Sequence, residues 1–149
     1  MKTLTKALAG SVAAVTLSLG LAGTASATPA GERAPSDNWN IQATGGYTTG
    51  TAVFHNRSVQ FTGGYVKSNT TGCVRVHLHV PQTGDYYIND ARTACGRGPD
   101  SGKNFGFTLP ADYPGGANHV VVTLHRVNAD DSTGPQIGSE TVYKPQPVR

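Results

Sequence analysis

The sequence predicts an all-β fold, a single antiparallel β-sandwich of about seven to eight short strands with one disulfide. Three observations support it. Short runs rich in β-branched and aromatic residues recur along the chain, with glycine, proline and asparagine between them as turn residues. No segment after residue 30 carries a convincing 3.6-residue apolar period, and charged residues make up only 14% of the chain. The only two cysteines, Cys73 and Cys95, bracket the most regularly patterned stretch.

The first 27 residues differ from the rest. Lys2 and Lys6 precede an apolar run from Leu8 to Ala22, and Ala25-Ser26-Ala27 has the small-residue spacing of a cleavage site. Residues 1–27 therefore read as a secretory signal peptide. The run is broken by Ser11, Thr16, Ser18 and Gly20 and falls short of the roughly 20 apolar residues that a membrane span requires, so no span is expected after its removal. Residues 28–37, with Pro29, Gly31 and Pro35 and no apolar period, read as a flexible linker. The sandwich domain is expected over 38–149.

Eight strands are expected within it: Asn38 to Ala43, Tyr47 to His55, Ser58 to Lys67, the two arms of a hairpin, Asn104 to Leu109, Asn118 to Val127 and Gln136 to Lys144. Gly45-Gly46, Asn56-Arg57, Asn69 to Gly72, Pro114 to Gly116 and Asp130 to Gly134 supply the turns. Val120, Val122 and Leu124 share one strand face, and Phe105, Phe107 and Leu109 share another; these faces should meet in the core. Val59, Phe61 and Tyr65 are expected to line a third strand, with Gly63-Gly64 permitting a bulge.

The hairpin runs from Cys73 through the turn Pro81 to Gly84 and back from Asp85 to Cys95. Val74, Val76, Leu78 and Val80 alternate with Arg75, His77 and His79, the period of a half-buried strand. Cys73 shares the face of the histidines, which places the Cys73–Cys95 disulfide outside the core or at a strand end. Direct pairing of 73 with 95 would set Arg92 opposite Val76 and Asp90 opposite Leu78, charges beside core residues. A bulge near Asn89 to Ala91, or an early strand end, is therefore expected.

Composition narrows the partners. The chain has 12 basic and 9 acidic residues, but Lys2 and Lys6 leave with the signal, so 10 stand against 9 and the basic residues are scattered. No contiguous cationic surface for phosphates results, and nucleic acid is not an expected partner. Export favours a disulfide between the two cysteines.

Signatures of chemistry are weak throughout. His77 and His79, two apart on one strand, would suit zinc or copper with His55, His119 or His125 as a third ligand, but no Asp or Glu stands at ligand spacing beside them. The pair reads as a solvated strand face, and neither metal nor cofactor is expected. No serine sits in a Gly-x-Ser-x-Gly elbow, so no catalytic residue is assigned and the chain reads as a non-enzyme. Gly96-Arg-Gly-Pro-Asp-Ser-Gly-Lys103 is not a phosphate loop, since Arg97 stands where the first glycine belongs and Asn104 follows Lys103. Asn128 to Gly134 lacks the twelfth-position acid of a calcium loop and reads as a hairpin turn.

Aromatic and basic side chains supply the binding candidates: Trp39, Tyr47, Tyr87 and Tyr113 as flat rings near turns, and Arg97 and Lys103 on the loop after Cys95. Trp39 also suits a plug at the end of the core, and of the neighbours Tyr86 and Tyr87 at most one should be exposed.

The run Asn104-Phe-Gly-Phe-Thr-Leu-Pro-Ala-Asp-Tyr-Pro-Gly-Gly-Ala-Asn-His-Val-Val-Val-Thr-Leu124, two strands joined by a Pro and Gly connection, resembles the penultimate corner of immunoglobulin-like or fibronectin-III-like sandwiches. The exported region is similar to small secreted actinobacterial proteins of unassigned function. The tyrosine that such folds often place at the start of the second strand is missing; His119 stands near that place and Tyr113 lies in the connection. The resemblance implies an immunoglobulin-like sandwich and carries no activity. Two functions are expected: a secreted, monomeric, non-catalytic module binding a polysaccharide or cell-surface component, or an extracellular protein-binding factor such as a protease inhibitor using the 96–103 loop.

Overall fold

Turn residues cut the chain into strands at the places their backbone preferences dictate. The computed structural model describes residues 34–147, so the expected signal peptide, 1–27, and most of the expected linker lie outside the described residues. The strands are β1 (Ser36–Ala43), β2 (Gly46–Phe54), β3 (Ser58–Ser68), β4 (Cys73–Pro81), β5 (Tyr87–Cys95), β6 (Lys103–Pro110), β7 (His119–Val127) and β8 (Thr133–Tyr143). A 3₁₀ turn, Pro99–Ser101, follows Cys95. β1 begins two residues before the expected Asn38, inside the stretch read as linker.

Two four-stranded antiparallel sheets result, ordered β1-β2-β3-β6 and β5-β4-β7-β8. The buried apolar residues of both form one core, with Trp39, Phe54, Phe61, Leu78 and Leu124 its largest members. Burying each such side chain stabilises the fold by about 1.5–3 kcal/mol. The fold is the expected antiparallel sandwich. With β1 set aside, seven strands divide three and four with sheet changes after β3, β5 and β6, an immunoglobulin-like arrangement. The fourth of those seven, β5, stays beside the third instead of crossing over, and the cystine fixes it there. β1 caps the open side: its Asn40 N–H donates to Glu140 Oε2 of β8 at 2.9 Å.

The expected faces hold for β4 and β7, whose Val74, Val76, Leu78, Val80, Val120, Val122 and Leu124 are buried. They fail for β3. Val59 and Phe61 point inward, but an extra residue, Gly63 at φ +57°, bulges the strand between Phe61 and Gly64. One inserted residue reverses the alternation, so Val66 enters the core and Tyr65 turns outward.

The expected interruption of the hairpin is also overturned. β4 and β5 pair without a shift from Cys73↔Cys95 to Pro81↔Tyr87, with Arg92 opposite Val76 and Asp90 opposite Leu78. The charges are tolerated because β5 is an edge strand: Asp90 is half-buried and Arg92 exposed. Inward-aimed charge on an edge also opposes edge-to-edge association. The disulfide sits on the outer side, as expected, joining directly opposed residues 4.0 Å apart at Cα. Among the described residues no helix is long and apolar enough to cross a membrane.

Candidate functional site

The two outer faces differ in chemistry. On the β1-β2-β3-β6 sheet, alternation and the Gly63 bulge turn outward Asn38, Asn40 and Gln42 of β1, Tyr47, Thr49 and Thr51 of β2, Gln60, Thr62, Tyr65 and Lys67 of β3, and Asn104 and Thr108 of β6. Lys67 is the only charge in this set. Register places Asn40, Thr49, Tyr65 and Asn104 in one row across all four strands. The Tyr47 and Tyr65 rings lie 5.8 Å apart at 41°. Tyr65 packs over Gly102, where any Cβ would overlap its hydroxyl. Thr51 donates to Asn38 Oδ1 at 2.7 Å and Gln42 Nε2 to Asn40 Oδ1 at 2.8 Å, so the amides are held in place. At the bulge, a shallow depression of about 410 Å³ is lined by Gln60, Phe61, Thr62, Gly63, Gly106, Phe107 and Thr108. Gly106 leaves room there because it has no side chain.

The outer face of β5-β4-β7-β8 carries imidazoles. β4 supplies His77 and His79, and β7 supplies His125 and Thr123; Thr123 stands directly opposite His77. The His77 ring is 5.8 Å from His79 and 5.2 Å from His125. His79 Nε2 and His125 Nε2 lie 3.2 and 3.1 Å from the same atom, Thr123 Oγ1. His125 Nδ1 faces the Gly134 carbonyl at 3.1 Å. A carbonyl only accepts, so Nδ1 carries the proton, His125 Nε2 accepts from the Thr123 hydroxyl, and that hydroxyl in turn accepts from His79 Nε2–H. His77 Nε2 meets Thr133 Oγ1 at 3.3 Å. Burial first, then the neighbouring His125, His79 and Arg75, lowers the His77 pKa from 6.5 to about 4; burial and His125 lower that of His79. Both rings are therefore neutral at neutral pH. Arg75 is occupied by Asp131 Oδ1 at 2.7 Å and by Thr93 Oγ1 at 2.8 Å. Among the described residues no three His, Cys, Asp or Glu side chains are placed to hold a metal ion.

The expected binding residues do not form one patch. Trp39 is 1% exposed, stacked on Phe105 at 6.2 Å with its Nε1–H donating to Thr48 Oγ1 at 3.3 Å, so it serves the core and not a surface. Tyr113 donates its hydroxyl to the Gln82 carbonyl at 2.9 Å. It belongs to a lock in which Gln82, 1% exposed, donates to the carbonyls of Val80 and Pro110 and accepts from Asp112 N–H. Tyr87 lies on the histidine face, 6.2 Å from His79, and Tyr47 on the opposite sheet. Tyr86 and Tyr87 are both exposed, because Tyr86 lies in the turn before β5 and not in the strand. The 96–103 loop exposes Arg97 and Lys103, but Ser101 Oγ ties it to the carbonyls of Gly96 and Gly98. Arg97 Nε donates to Asn69 O at 3.2 Å.

Sequence reasoning missed the outward Tyr65 and Thr123, and left His125 as one of three histidines that could join His77 and His79. Only the bulge glycine offered a signal for the first, and only strand register could have given the others. No protein-family model, no curated protein and no solved structure matches this chain. The geometry alone therefore carries the functional argument.

Proposed function

We propose that this chain is a secreted, non-catalytic module that holds a polysaccharide on the outer face of the β1-β2-β3-β6 sheet. The observation that carries the reading is the composition of that face: amides and hydroxyls in rows, the Tyr47–Tyr65 pair, and Lys67 as its one charge. A neutral sugar offers hydroxyls for directed hydrogen bonds and C–H faces for aromatic rings, and gains little from charge. The depression beside Gly106 has the volume of a small-ligand site, with Gln60, Thr62 and Thr108 able to bond sugar hydroxyls. Side chains already held by one another lose little entropy on binding. The disulfide and the signal-like amino terminus support an extracellular setting.

The test is retention of the purified protein on chitin, cellulose and peptidoglycan, followed by titration with the soluble oligosaccharide of whichever polymer retains it. Tyr47→Ala and Gln60→Ala should each weaken binding roughly 5- to 20-fold, the loss of about 1–1.8 kcal/mol of contact. No retention on any of the three polymers refutes the reading. The protein-directed alternative has the exposed 96–103 loop in its favour and the tie of Arg97 to Asn69 against it. Unchanged trypsin-like protease activity at micromolar protein removes that alternative.

A further inference from the structure

We propose that the outer face of the β5-β4-β7-β8 sheet docks a second copy of this chain, forming an isologous dimer. The surface is independent of the carbohydrate face, which lies on the other sheet.

Exposed aromatic surface is the first ground. Among the described residues the large apolar side chains left exposed are Tyr86, Tyr87 and Tyr143, at 53, 50 and 66%, and all of them belong to this sheet or border it. Tyr87 lies opposite Pro81 of β4, and Tyr143 lies opposite His119 of β7 with ring centroids 6.0 Å apart. Pro81 and His119 stand two residues beyond the His79↔Val121 pair, so one row crosses the sheet with a tyrosine at each edge. Aromatic rings with few charges around them characterise the centres of protein interfaces.

Charge points to a like copy as the occupant. An isologous contact sets a face against itself, so any unneutralised charge on it meets its like. Among the outward positions of these four strands Arg75 is the only permanent charge, and Asp131 Oδ1 holds it at 2.7 Å. His77 is faced by Arg75 and His79 from β4 and by His125 from β7, and by the uncharged Ala91 of β5 and Thr133 of β8. His77 and His79 are themselves neutral at neutral pH. The polar groups of the face are already bonded to one another: His79 and His125 to Thr123 Oγ1, His77 to Thr133 Oγ1, and Arg75 to Thr93 Oγ1. Covering them with protein orphans no donor or acceptor, whereas a sugar would have to break these bonds to replace them.

Area and symmetry give the dimer its form. Four strands about 4.8 Å apart, with nine residues in β4, cover about 600 Å² per copy, so the dimer buries about 1,200 Å² in all, the lower bound of a specific interface. A weak, reversible dimer follows. Sheets pack face to face with their strands nearly aligned, about 10 Å apart. A two-fold axis along the strands reverses their order between copies, which lays β5 over β8 and β4 over β7. Tyr87 then meets the second copy's Tyr143, and the contact occurs twice.

The experiment is sedimentation velocity of the purified protein from about 1 to 500 μM at pH 7.5, where monomer and dimer should exchange with a Kd of about 1–100 μM. Tyr87→Asp should weaken dimerisation at least tenfold. Tyr87→Asp/Tyr143→Lys should restore it, because the axis brings the opposite charges together. Gln60→Ala, on the other sheet, should leave it unchanged. At pH 4 the imidazoles take up protons and set like charges face to face, so Kd should rise at least tenfold. Trp39 fluorescence verifies that each sample is folded. A monomer at 500 μM, a dimer that Tyr87→Asp or pH 4 leaves intact, or a double variant that does not recover overturns the proposal. Retention on chitin, cellulose or peptidoglycan that is lost in Tyr143→Lys would make a saccharide the occupant of this face and overturns it as well.

Discussion

Replacing Gln82 with leucine should reveal how much of the fold depends on one buried amide. Gln82 sits after β4, 1% exposed, and spans the two sheets: Nε2 donates to Val80 O at 3.1 Å and to Pro110 O at 2.8 Å, while Oε1 accepts from Asp112 N–H at 3.0 Å. Leucine has a similar volume, so the change creates little cavity and isolates the polar loss. Three hydrogen bonds disappear at about 1 kcal/mol each, of which the one to the Val80 carbonyl is fully buried and costs somewhat more. The expected loss is about 3–4 kcal/mol, a large fraction of the 5–15 kcal/mol typical of a domain. Urea unfolding followed by the single tryptophan, buried in the core, measures it: the midpoint should fall by about 1.5–2 M with the slope unchanged. Tyr113→Phe, which removes one bond to the same residue's carbonyl, should cost about 1 kcal/mol. A Gln82→Leu loss no larger than that of Tyr113→Phe refutes the lock, because it would mean that water replaces the amide without penalty.

Three further outcomes are expected. Cys73→Ala/Cys95→Ala opens a loop with a sequence separation of 22 and should lower stability by about 3 kcal/mol in the same urea assay, while leaving the spectrum of the folded state unchanged. Stability should be full above pH 6.5 and decline as pH falls from 6.5 toward 4, since unfolded His77 takes up its proton before the folded residue does. The lowering from 6.5 to about 4 sets a ceiling near 3 kcal/mol, and the side chain's exposure reduces this to about 1 kcal/mol; His77→Gln should flatten the decline. Gly50→Ala, whose Cβ would overlap the Trp39 ring, should cost about 1–3 kcal/mol and shift the tryptophan emission, whereas Gly98→Ala, with nothing near its Cβ, should be neutral.

All eight strands and the inner faces of β4 and β7 were legible because a period of two survives wherever a strand has one dry side and no insertion. Tyr65 was misassigned because a single bulge residue, Gly63, inverts the alternation, and a Gly-Gly pair announces the bulge without fixing which glycine is extra. The unbroken hairpin was misjudged for another reason. The cost assigned to Asp90 and Arg92 assumed an interior strand, and strand order, which decides that β5 is an edge, is a long-range property. The histidine cluster and the Gln82 lock unite residues about 30 to 50 positions apart, so no local pattern could present them. Trp39 illustrates the limit of residue type as a guide: the same ring serves a sugar platform or a core plug, and only the Thr48 hydroxyl beneath its N–H distinguishes them.

The sandwich separates its two candidate surfaces by a core about 10 Å thick, and that spacing has a measurable consequence. The tyrosine and amide face lies on β1, β2, β3 and β6, and the imidazole face on β4 and β7, with no residue common to both. Substitutions more than about 7–10 Å apart without shared partners act independently. Polysaccharide retention should therefore be the same within twofold in His77→Gln and His79→Gln, whereas Tyr47→Ala weakens it. A loss of retention in His79→Gln would place the sugar on the histidine face, where Tyr87 stands 6.2 Å from His79 and its ring could stack on a saccharide. Retention that ignores the histidine substitutions but responds to Gln60→Ala would keep the two surfaces apart, as the strand order implies.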